Sequence, residues 1–339
     1  MKKILVTGGA GFIGSNFVQM VLSEYHDCFL VNLDSLTYAG NLENLSSFAD
    51  NPNYKFIKGD ICDSSLVCDI MDEYKTEAII NFAAESHVDR SITGPKIFID
   101  TNVNGTLTLL EAARDRDIER FVQISTDEVY GSLELSGGQF TEDTPISPNS
   151  PYSASKAASD HLVKAFGHTW GLKYNITRCS NNYGQYQFPE KMVPLMINNA
   201  LNDKELPVYG DGLYVRDWLY VYDHCTAIWN VLANAEPGQI YNIGGCNEKS
   251  NLEVVNIILK RLGKPESLIK HVKDRPGHDR RYAIDATKII TELGWKPSVT
   301  FEQGIIKTID WYLENTKWLE NVVSGDYQKY YQQMYDARQ

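Results

Sequence analysis

Short apolar runs alternate with amphipathic stretches through the first half of the chain. The apolar runs, which predict buried strands, are 3–7, Cys28–Asp34, 54–60, 78–84, Arg120–Thr126 and 173–180. Between most of them lie predicted helices at Ser64–Tyr74, 95–114 and Pro151–Trp170. Strands that alternate with helices are typical of a parallel sheet covered by helices on both faces. The pattern therefore predicts an α/β protein with a Rossmann-type, doubly wound parallel sheet.

The pattern loosens beyond residue 180. Predicted helices lie at 189–201, 223–235, 252–262 and 301–315, and predicted short strands at Leu206–Tyr209 and 239–243. We expect a Rossmann domain over 1–180 and a smaller, mixed α/β substrate lobe over 181–339. The segment near 239–245 is expected to return to the main sheet.

One long connector interrupts the first half. Residues 132–150 are rich in Ser, Gly and Pro, which predicts a loop. Long connectors without secondary structure are more often functional than idle in compact domains. A flap that covers the site is one hypothesis for this loop.

Composition narrows the class of protein. The 339 residues carry a net charge of −12, which argues against nucleic acid or an anionic membrane as the main partner. The six cysteines form no C-x-x-C pair, so neither a disulfide framework nor a metal site is predicted. The first apolar run is too short for a signal peptide, and no stretch is long enough to span a bilayer. We expect a reducing, cytoplasmic setting.

A glycine-rich turn follows the first predicted strand and opens a helix. Gly9, Gly11 and Gly14 fit the dinucleotide fingerprint, and Gly8, Gly11 and Gly14 fit its wider-spaced variant. Such glycines let the backbone approach a pyrophosphate at a helix N-terminus. Asp34 ends the second strand, where a carboxylate accepts from ribose hydroxyls and repels a 2′-phosphate, so NAD is favoured over NADP. The alternative is a glycine turn without a ligand.

Two further strand ends carry candidate residues. Asp60 and Ile61 follow the third strand, where the aspartate either recognises adenine or caps the next helix. Phe82 begins a run of mostly small residues at the end of the fourth strand, which suits a backbone that passes beneath a cofactor. His87 closes this run, and we favour a structural role for it over that of a catalytic base.

Tyr152 and Lys156 lie one helical turn apart at the start of a predicted helix. A free phenol has a pKa of about 10, and a nearby ammonium lowers that value by stabilising the phenolate. Tyr152 is therefore the candidate base that removes a proton from a sugar hydroxyl while hydride leaves the same carbon. Thr126, at the end of the fifth strand, is a candidate to orient that hydroxyl.

Asp127 and Glu128 follow that same strand as adjacent carboxyls. A protein that only moves a hydride has little use for this pair, whereas an elimination needs a general base and a general acid. The alternative is a solvated turn.

Cationic residues cluster in the second half, where Lys191, Arg216 and the run that begins at Arg275 are candidates to hold a diphosphate. The alternative for these is solvated surface arginine.

These motifs together resemble the extended short-chain dehydrogenase/reductase family, and within it the nucleotide-sugar dehydratases. The resemblance covers nearly the whole chain, and its segments are 7–15, 34–41, 83–91, 125–131, 152–156, 181–184, 216–221 and 275–285. The most specific of them is 126–128, because the related 4-epimerases keep the Tyr and Lys but lack the acid pair. Gln185 departs from the family, which usually has Pro there, and the loop from Ser132 is shorter than in some relatives.

The resemblance implies an NAD-dependent dehydration of dTDP-glucose to a 4-keto-6-deoxy sugar. Tyr152, tuned by Lys156, deprotonates the C4 hydroxyl as hydride passes to NAD. Glu128 removes the C5 proton, Asp127 protonates the departing C6 hydroxyl, and the hydride returns to C6. The alternatives are an epimerase or decarboxylase on the same scaffold, and a non-catalytic NAD-sensing regulator.

The resemblance also implies sites, a partner and a pathway. The expected cofactor-binding residues are Gly8, Gly11, Phe12, Ile13, Gly14, Asp34, Ser35, Leu36, Thr37, Asp60, Ile61, Phe82, Ala83, Ala84, Glu85, Ser86, Thr101, Tyr152, Lys156 and Asn181. The expected substrate-binding residues are Ser86, Thr126, Asn182, Lys191, Met192, Pro207, Tyr209, Arg216, Asn251, Asp274, Arg275 and His278. Family members are typically homodimers that pair through helices like 95–114 and Pro151–Trp170, and they usually serve rhamnose precursor synthesis.

Overall fold

A computed structural model describes residues 2–323 of the chain. The strands are β1 (Lys2–Thr7), β2 (Cys28–Asp34), β3 (Tyr54–Lys58), β4 (Ala78–Asn81), β5 (Arg120–Thr126), β6 (Tyr174–Cys179), β7 (Asn181–Tyr183), β8 (Leu206–Tyr209), β9 (Val215–Tyr220), β10 (Ile240–Ile243), β11 (Glu248–Ser250) and β12 (Ile269–Val272). The helices are α1 (Phe12–Glu24), α2 (Ser64–Tyr74), α3 (Val88–Thr93), α4 (Lys96–Phe98), α5 (Thr106–Asp115), α6 (Pro151–Trp170), α7 (Met192–Leu201), α8 (Val221–Asn234), α9 (Asn251–Leu262), α10 (Thr287–Leu293), α11 (Phe301–Glu314) and α12 (Thr316–Val322).

Seven strands form one sheet in the order β10-β6-β5-β4-β1-β2-β3. Every neighbouring pair in it is parallel. The strand order reverses between β1 and β4, and ligands of such sheets bind at the carboxyl ends of the strands beside this reversal. The predicted α/β class with a Rossmann-type parallel sheet is confirmed.

Alternate strand residues face opposite sides of the sheet, and both sides are covered. On one side, Val6 belongs to the same buried cluster as Ile228 of α8. On the other, Leu5 belongs to a cluster with Leu109 of α5. Burial on both faces explains why the strands are continuous apolar runs in the sequence.

A second cluster of elements packs beside the carboxyl edge of the sheet. β11, β9 and β7 form a three-stranded sheet, and β12 pairs with β8. Buried residues of α7, α9 and α11, including Ile197, Val255 and Ile305, share one core with these strands. β10, which lies within 239–245, is parallel to β6 in the main sheet. The division of the chain near residue 180 remains a prediction, and its 324–339 portion lies outside the described residues.

The segment predicted as one helix over 95–114 has a different internal structure. It consists of α4, a π-helical stretch at Ile99–Gly105, and α5. Asn102 lies in the π-helical stretch, and its carboxamide binds both backbone groups of Glu85 and the hydroxyl of Ser155. The π-helical stretch is defined by i→i+5 backbone hydrogen bonds, which the apolar pattern of so short a segment does not reveal, so the sequence did not predict it.

The predicted loop over 132–150 is confirmed as a connector. It contains no helix or strand, and one isolated bridge joins Phe140 to Ile284. Arg281 holds the loop through the carbonyl of Gly138 at 3.0 Å.

None of the helices within 2–323 combines the length and the hydropathy that a membrane span requires.

Arg178 of β6 ties the sheet to α6, which makes it a test of the fold. Its Nε donates to Oδ2 of Asp160 at 2.9 Å, and both side chains are almost fully buried. Arg178→Met would leave the Asp160 carboxylate buried without its cation. We expect the free energy of unfolding to fall by about 3–5 kcal/mol in chemical denaturation.

Arg261→Met is the matched control, because Arg261 pairs with Asp310 at the surface. That loss should stay within about 1 kcal/mol. Equal losses in the two variants would contradict the assignment of Arg178 as a structural anchor of α6.

Candidate active site

A cavity of about 340 Å³ lies at the carboxyl ends of β1, β2, β4, β5 and β6. It brings together residues from the glycine turn, from the strand ends and from the start of α6. All of the predicted cofactor residues except Leu36 line it, as do all five predicted catalytic residues. This cavity is the candidate cofactor site.

The glycine turn between β1 and α1 is shaped by close backbone contacts. Gly8 has a φ of +69°, and a Cβ there would lie 2.7 Å from the amide nitrogen of Ala83. A Cβ on Gly14 would lie 2.3 Å from the carbonyl oxygen of Gly8. A Cβ on Gly11 would meet only that carbonyl, at 3.3 Å, so Gly11 faces the cavity. The turn is therefore a cradle in which backbone, not side chain, is exposed to an anion that binds at the start of α1.

Asp34, at the end of β2, is fixed by two backbone amides. Its Oδ2 accepts from Ala10 at 2.9 Å and its Oδ1 from Leu36 at 2.8 Å. Burial raises the pKa of Asp34, and these two hydrogen bonds oppose the rise. Each oxygen keeps a further lone pair for a ribose hydroxyl. Leu36 was expected to contact the cofactor, but its side chain does not line the cavity; its amide orients Asp34 instead.

Asp60 lines the cavity, and the alternative that it caps α2 is wrong. Its Oδ1 accepts from the amide of Cys62 at 2.9 Å. The capping residue of α2 is Asp63, whose Oδ1 accepts from Leu66 at 3.1 Å. Asp60 and the neighbouring Ile61 thus remain available to a bound cofactor.

Tyr152 and Lys156 are placed by the capped start of α6. Ser150 and Ser153 form a reciprocal capping box there, which fixes the first turn. Lys156 Nζ donates to the carbonyl oxygen of Ile124 at 2.7 Å. Burial raises the pKa of Tyr152 well above its ordinary value, and the charge of Glu128 raises it further. The lowering of this pKa by Lys156 stays a prediction, and one hydrogen bond of its ammonium goes to a backbone carbonyl.

Asp127 and Glu128 lie in a 3₁₀ turn, Asp127–Tyr130, that follows β5 directly. Thr126 caps this turn, since its Oγ1 accepts from the amide of Glu128 at 3.3 Å. Both carboxyls line the cavity beside Tyr152, and Asp127 is only 2% exposed. The solvated-turn alternative is therefore wrong.

The two carboxyls have opposite electrostatic surroundings. Burial raises the pKa of Asp127 well above its ordinary value, and the charges of Glu128 and Asp217 raise it further. Burial also raises the pKa of Glu128, but there the cations Arg275, Lys191 and Arg216 oppose the rise. Asp127 Oδ2 is buried and has no hydrogen-bond partner in the described part of the chain. The arrangement favours a protonated Asp127 next to an ionised Glu128.

A second cavity of about 160 Å³ adjoins the first. Glu128, Asn181, Glu190 and Lys191 line both cavities. The second cavity is also lined by the predicted substrate residues Met192, Pro207, Tyr209, Arg216, Asn251, Arg275 and His278. Lys191 Nζ donates to the carbonyl of Ser86 at 2.7 Å and so stands at the junction. The acid pair thus lies where the candidate cofactor cavity meets a cation-rich one.

Four of the predicted substrate residues do not line the second cavity. Asp274 lines neither cavity; it holds His278 through a 2.7 Å hydrogen bond to the ring Nδ1. Asn182 lines the first cavity, but its Oδ1 pairs with Nδ1 of His224 at 2.9 Å. Ser86 and Thr126 line the first cavity and not the second.

His87, weighed above as a base, lies in the second cavity at the start of α3. Burial lowers its pKa to about 4, so the ring is neutral near pH 7. Its Nε2 lies 3.4 Å from the carbonyl oxygen of Glu190. This position supports the structural interpretation.

Sequence reasoning missed the acidic residues among these cations. Asp89 accepts from Arg275 at 3.1 Å and from the Tyr209 hydroxyl at 2.8 Å. Glu190 accepts from Arg90 at 3.1 Å. Carboxylates have the wrong sign for a diphosphate site, so only their contacts with the arginines identify them as supports.

Comparison with known proteins identifies the family. A profile described as GDP-mannose 4,6 dehydratase matches residues 5–308. The dTDP-glucose 4,6-dehydratase of Xanthomonas campestris pv. campestris (strain B100) is 58% identical over 345 residues, covering 96% of this chain and 97% of that protein.

Two solved structures agree with this. The Bacillus anthracis dTDP-glucose 4,6-dehydratase, in complex with NAD, is 52% identical with a TM-score of 0.89, covering 95% of this chain and 100% of that one. The Streptomyces venezuelae enzyme DesIV, with NAD and TYD bound, is 49% identical with a TM-score of 0.92, covering 94% and 99%. The chain belongs to the GDP-mannose 4,6-dehydratase family, and its resemblance to the nucleotide-sugar dehydratases is confirmed.

Proposed function

We propose that this protein is an NAD-dependent dTDP-glucose 4,6-dehydratase that forms dTDP-4-keto-6-deoxyglucose. The observation that carries the proposal is the opposite surroundings of the adjacent carboxyls, with Asp127 among carboxylates and Glu128 among cations. An elimination of water needs one group of each kind. Relatives with 53–58% identity bear the name of this enzyme.

The residues of the first cavity fit NAD. The cradle of Gly8, Gly11 and Gly14 suits a pyrophosphate, and Asp34 suits ribose hydroxyls. The buried Oδ1 of Asn181 has no hydrogen-bond partner within 2–323 and lines the cavity, so it offers an acceptor for a carboxamide or hydroxyl. When bound, NAD accepts a hydride from C4 of the sugar and returns it to C6.

Tyr152 begins the reaction at the sugar as a phenolate, the form that the positive nicotinamide ring of bound NAD favours, and it accepts the proton of the C4 hydroxyl. Thr126 lines the same cavity as Tyr152, and its hydroxyl opposes the rise of the Tyr152 pKa. Lys156, held on the carbonyl of Ile124, fixes the turn of α6 from which Tyr152 projects. Together these residues position the phenol and the hydroxyl.

Glu128 and Asp127 then carry out the elimination. The C4 carbonyl makes the C5 proton acidic, and Glu128 takes it while the C5–C6 double bond forms. The C6–O bond breaks as Asp127 gives its proton to the leaving hydroxyl, which departs as water. Glu128 returns its proton to C5 once C6 is saturated. Tyr152 has then gained the one proton that Asp127 has lost, and exchange with solvent restores both.

The second cavity supports a bound nucleotide diphosphate. Lys191, Arg216 and Arg275 supply cations there although the whole chain has a net charge of −12. Arg275 is anchored by Asp89, and Arg216 by the carbonyl oxygen of Asp279 at 2.9 Å. Cations fixed in this way bind a diphosphate without first losing side-chain freedom.

A homodimer in the cytoplasm, in rhamnose precursor synthesis, is the further part of the proposal. Ile97, Ile99 and Trp170 are 49%, 46% and 53% exposed on the helices expected to pair. Exposed apolar side chains of this size support a subunit contact. The six free cysteines are consistent with a reducing compartment.

Gly11→Ala tests the cofactor cradle. A methyl group at Gly11 meets only the Gly8 carbonyl at 3.3 Å, so the fold should tolerate it while the pyrophosphate loses its approach. We expect the Kd of NAD, measured by calorimetry, to rise about tenfold or more, which is about 1.4 kcal/mol.

Gly14→Ala is the contrast, because its methyl group would collide with the Gly8 carbonyl at 2.3 Å. That variant should lose thermal stability, whereas Gly11→Ala should keep its Tm within about 3 °C. Unchanged NAD affinity in Gly11→Ala would rule out the cradle as the pyrophosphate site.

Asp127→Asn separates dehydration from oxidation. The amide cannot donate an acidic proton, so formation of the 4-keto-6-deoxy product should fall about 10²- to 10⁴-fold. Oxidation at C4 should remain measurable in a single turnover, in which the absorbance of the reduced cofactor reports it. Full product formation by this variant would refute the role of Asp127.

A 6-fluoro-6-deoxy analogue of the substrate distinguishes the two acids. Fluoride departs with its electron pair and needs no proton, so Asp127→Asn should process the analogue within about tenfold of the wild type, since the lost proton transfer is the step that the fluoride avoids. Glu128→Gln should remain slow with both substrates, because each requires removal of the C5 proton. Equal behaviour of the two variants would contradict their separate roles.

A further inference from the structure

Asp217 of β9 is a third carboxyl close to the acid pair. The register of β5 and β6 pairs Thr126 with Cys179, and the register of β7 and β9 pairs Asn181 with Trp218. Asp127 follows Thr126, and Asp217 precedes Trp218. The two aspartates therefore lie on either side of the short segment 179–181.

Asp217 is immobile as well as buried. It is 1% exposed, and its oxygens accept from the amides of Gly245 at 2.8 Å and Asn247 at 2.7 Å. Gly244 packs so closely that a Cβ there would lie 2.7 Å from Oδ2. Backbone amides favour the ionised carboxylate, against a burial that raises the pKa of Asp217. These contacts fasten β9 to the turn after β10, which is a structural role in itself.

Besides this structural role, Asp217 has no cationic partner among the described residues. No ion pair formed by residues 2–323 includes it. Arg216, the nearest cation in sequence, points to the second cavity, because successive side chains of a strand face opposite sides. Its guanidinium donates to the carbonyl oxygens of Val215 at 2.7 Å and Asp279 at 2.9 Å. The negative charge of Asp217 is therefore not neutralised by an ion pair within the described residues.

The groups that face Asp127 come from four elements. Glu128 adjoins it in its own turn, Tyr152 faces it from α6 and Cys179 from β6. β9 contributes Asp217, and the charge of Arg216, which lies in the second cavity, opposes its effect. Glu128 is itself surrounded by cations, and the Cys179 thiol is neutral near pH 7 because burial raises its pKa. Tyr152 is a neutral phenol once it has taken the C4 proton, which happens before Asp127 acts. Asp217 is the one uncompensated charge among the groups just named.

We propose that Asp217 is a positioning residue for the dehydration, whose fixed carboxylate keeps the proton on Asp127 until the C6 hydroxyl takes it. The inference rests on the proposed function, since it concerns the general acid of that reaction. One strand then serves both acids: Arg216 supplies a cation on the substrate side, and Asp217 supplies an anion behind Asp127.

The proposal predicts the direction in which the pH profile of kcat shifts when Asp217 loses its charge. Asp127 acts only when protonated, so the rate falls as the pH rises through its pKa. A nearby negative charge raises that pKa. Removing the charge therefore moves the alkaline limb of the kcat profile to lower pH, by about one unit or more.

The experiment measures kcat against pH for Asp217→Asn with dTDP-glucose and with the 6-fluoro-6-deoxy analogue. The alkaline limb should move to lower pH with dTDP-glucose and should not move with the analogue, which needs no general acid. Asp217→Ser is a second neutral variant in case the first does not fold, as judged by circular dichroism. An unmoved limb with dTDP-glucose in a folded neutral variant would overturn the proposal.

Asn247→Ala is the matched control for the structural role. It removes the 2.7 Å hydrogen bond from Asn247 Nδ2 to the Gly245 carbonyl but keeps the charge of Asp217. Its alkaline limb should stay in place, and a shift equal to that of Asp217→Asn would also overturn the proposal. Failure of the proposed function looks different: the wild type would then form no 4-keto product, or would show the same alkaline limb with both substrates.

Discussion

Two carboxyl groups side by side in a dry cavity do not both ionise unless cations surround one of them. Arg275, Lys191 and Arg216 surround Glu128, and no comparable set reaches Asp127. The same pair of residue types thus gives one base and one acid. Everything else in the site either delivers these charges or fixes them in place. The two cavities meet at Glu128, and the cations proposed to hold an anionic substrate also oppose the rise of its pKa.

The parallel sheet is what allows so many distant segments to converge. Its strands all end at one edge, so the glycine turn after β1, the acid pair after β5 and Asn181 after β6 face one space. The cations come from the second cluster of elements, which packs against that edge. β10 belongs to the main sheet, and buried residues of α8 share a core with those of α1. The second half of the chain is therefore joined to the sheet by buried contacts. That shared core leaves the fixed charges little freedom to move apart.

Local motifs were predictable from the sequence, and long-range contacts were not. The glycine turn, Tyr152 with Lys156, and the acid pair each lie within a few residues, so spacing and strand position suffice to predict them. Leu36 and Asp274 were expected at the ligands, but they support Asp34 and His278 instead. Spacing does not reveal whether a side chain or an amide faces a cavity. Asp89 and Asp217 were missed because their partners lie 186 and 28–30 residues away.

The partner of the Lys156 ammonium could not be predicted from its spacing in the sequence. Its spacing from Tyr152 suggested direct stabilisation of the phenolate, yet its ammonium binds the carbonyl of Ile124. A cation held on the strand that leads to Thr126 and the acid pair couples α6 to β5, so the phenol and the carboxyls keep one mutual arrangement. Preorganised groups of this kind need no reorganisation at the moment of reaction. In this site, therefore, the helix capped by Ser150 and the turn capped by Thr126 contribute to chemistry through rigidity as much as through the charges they carry.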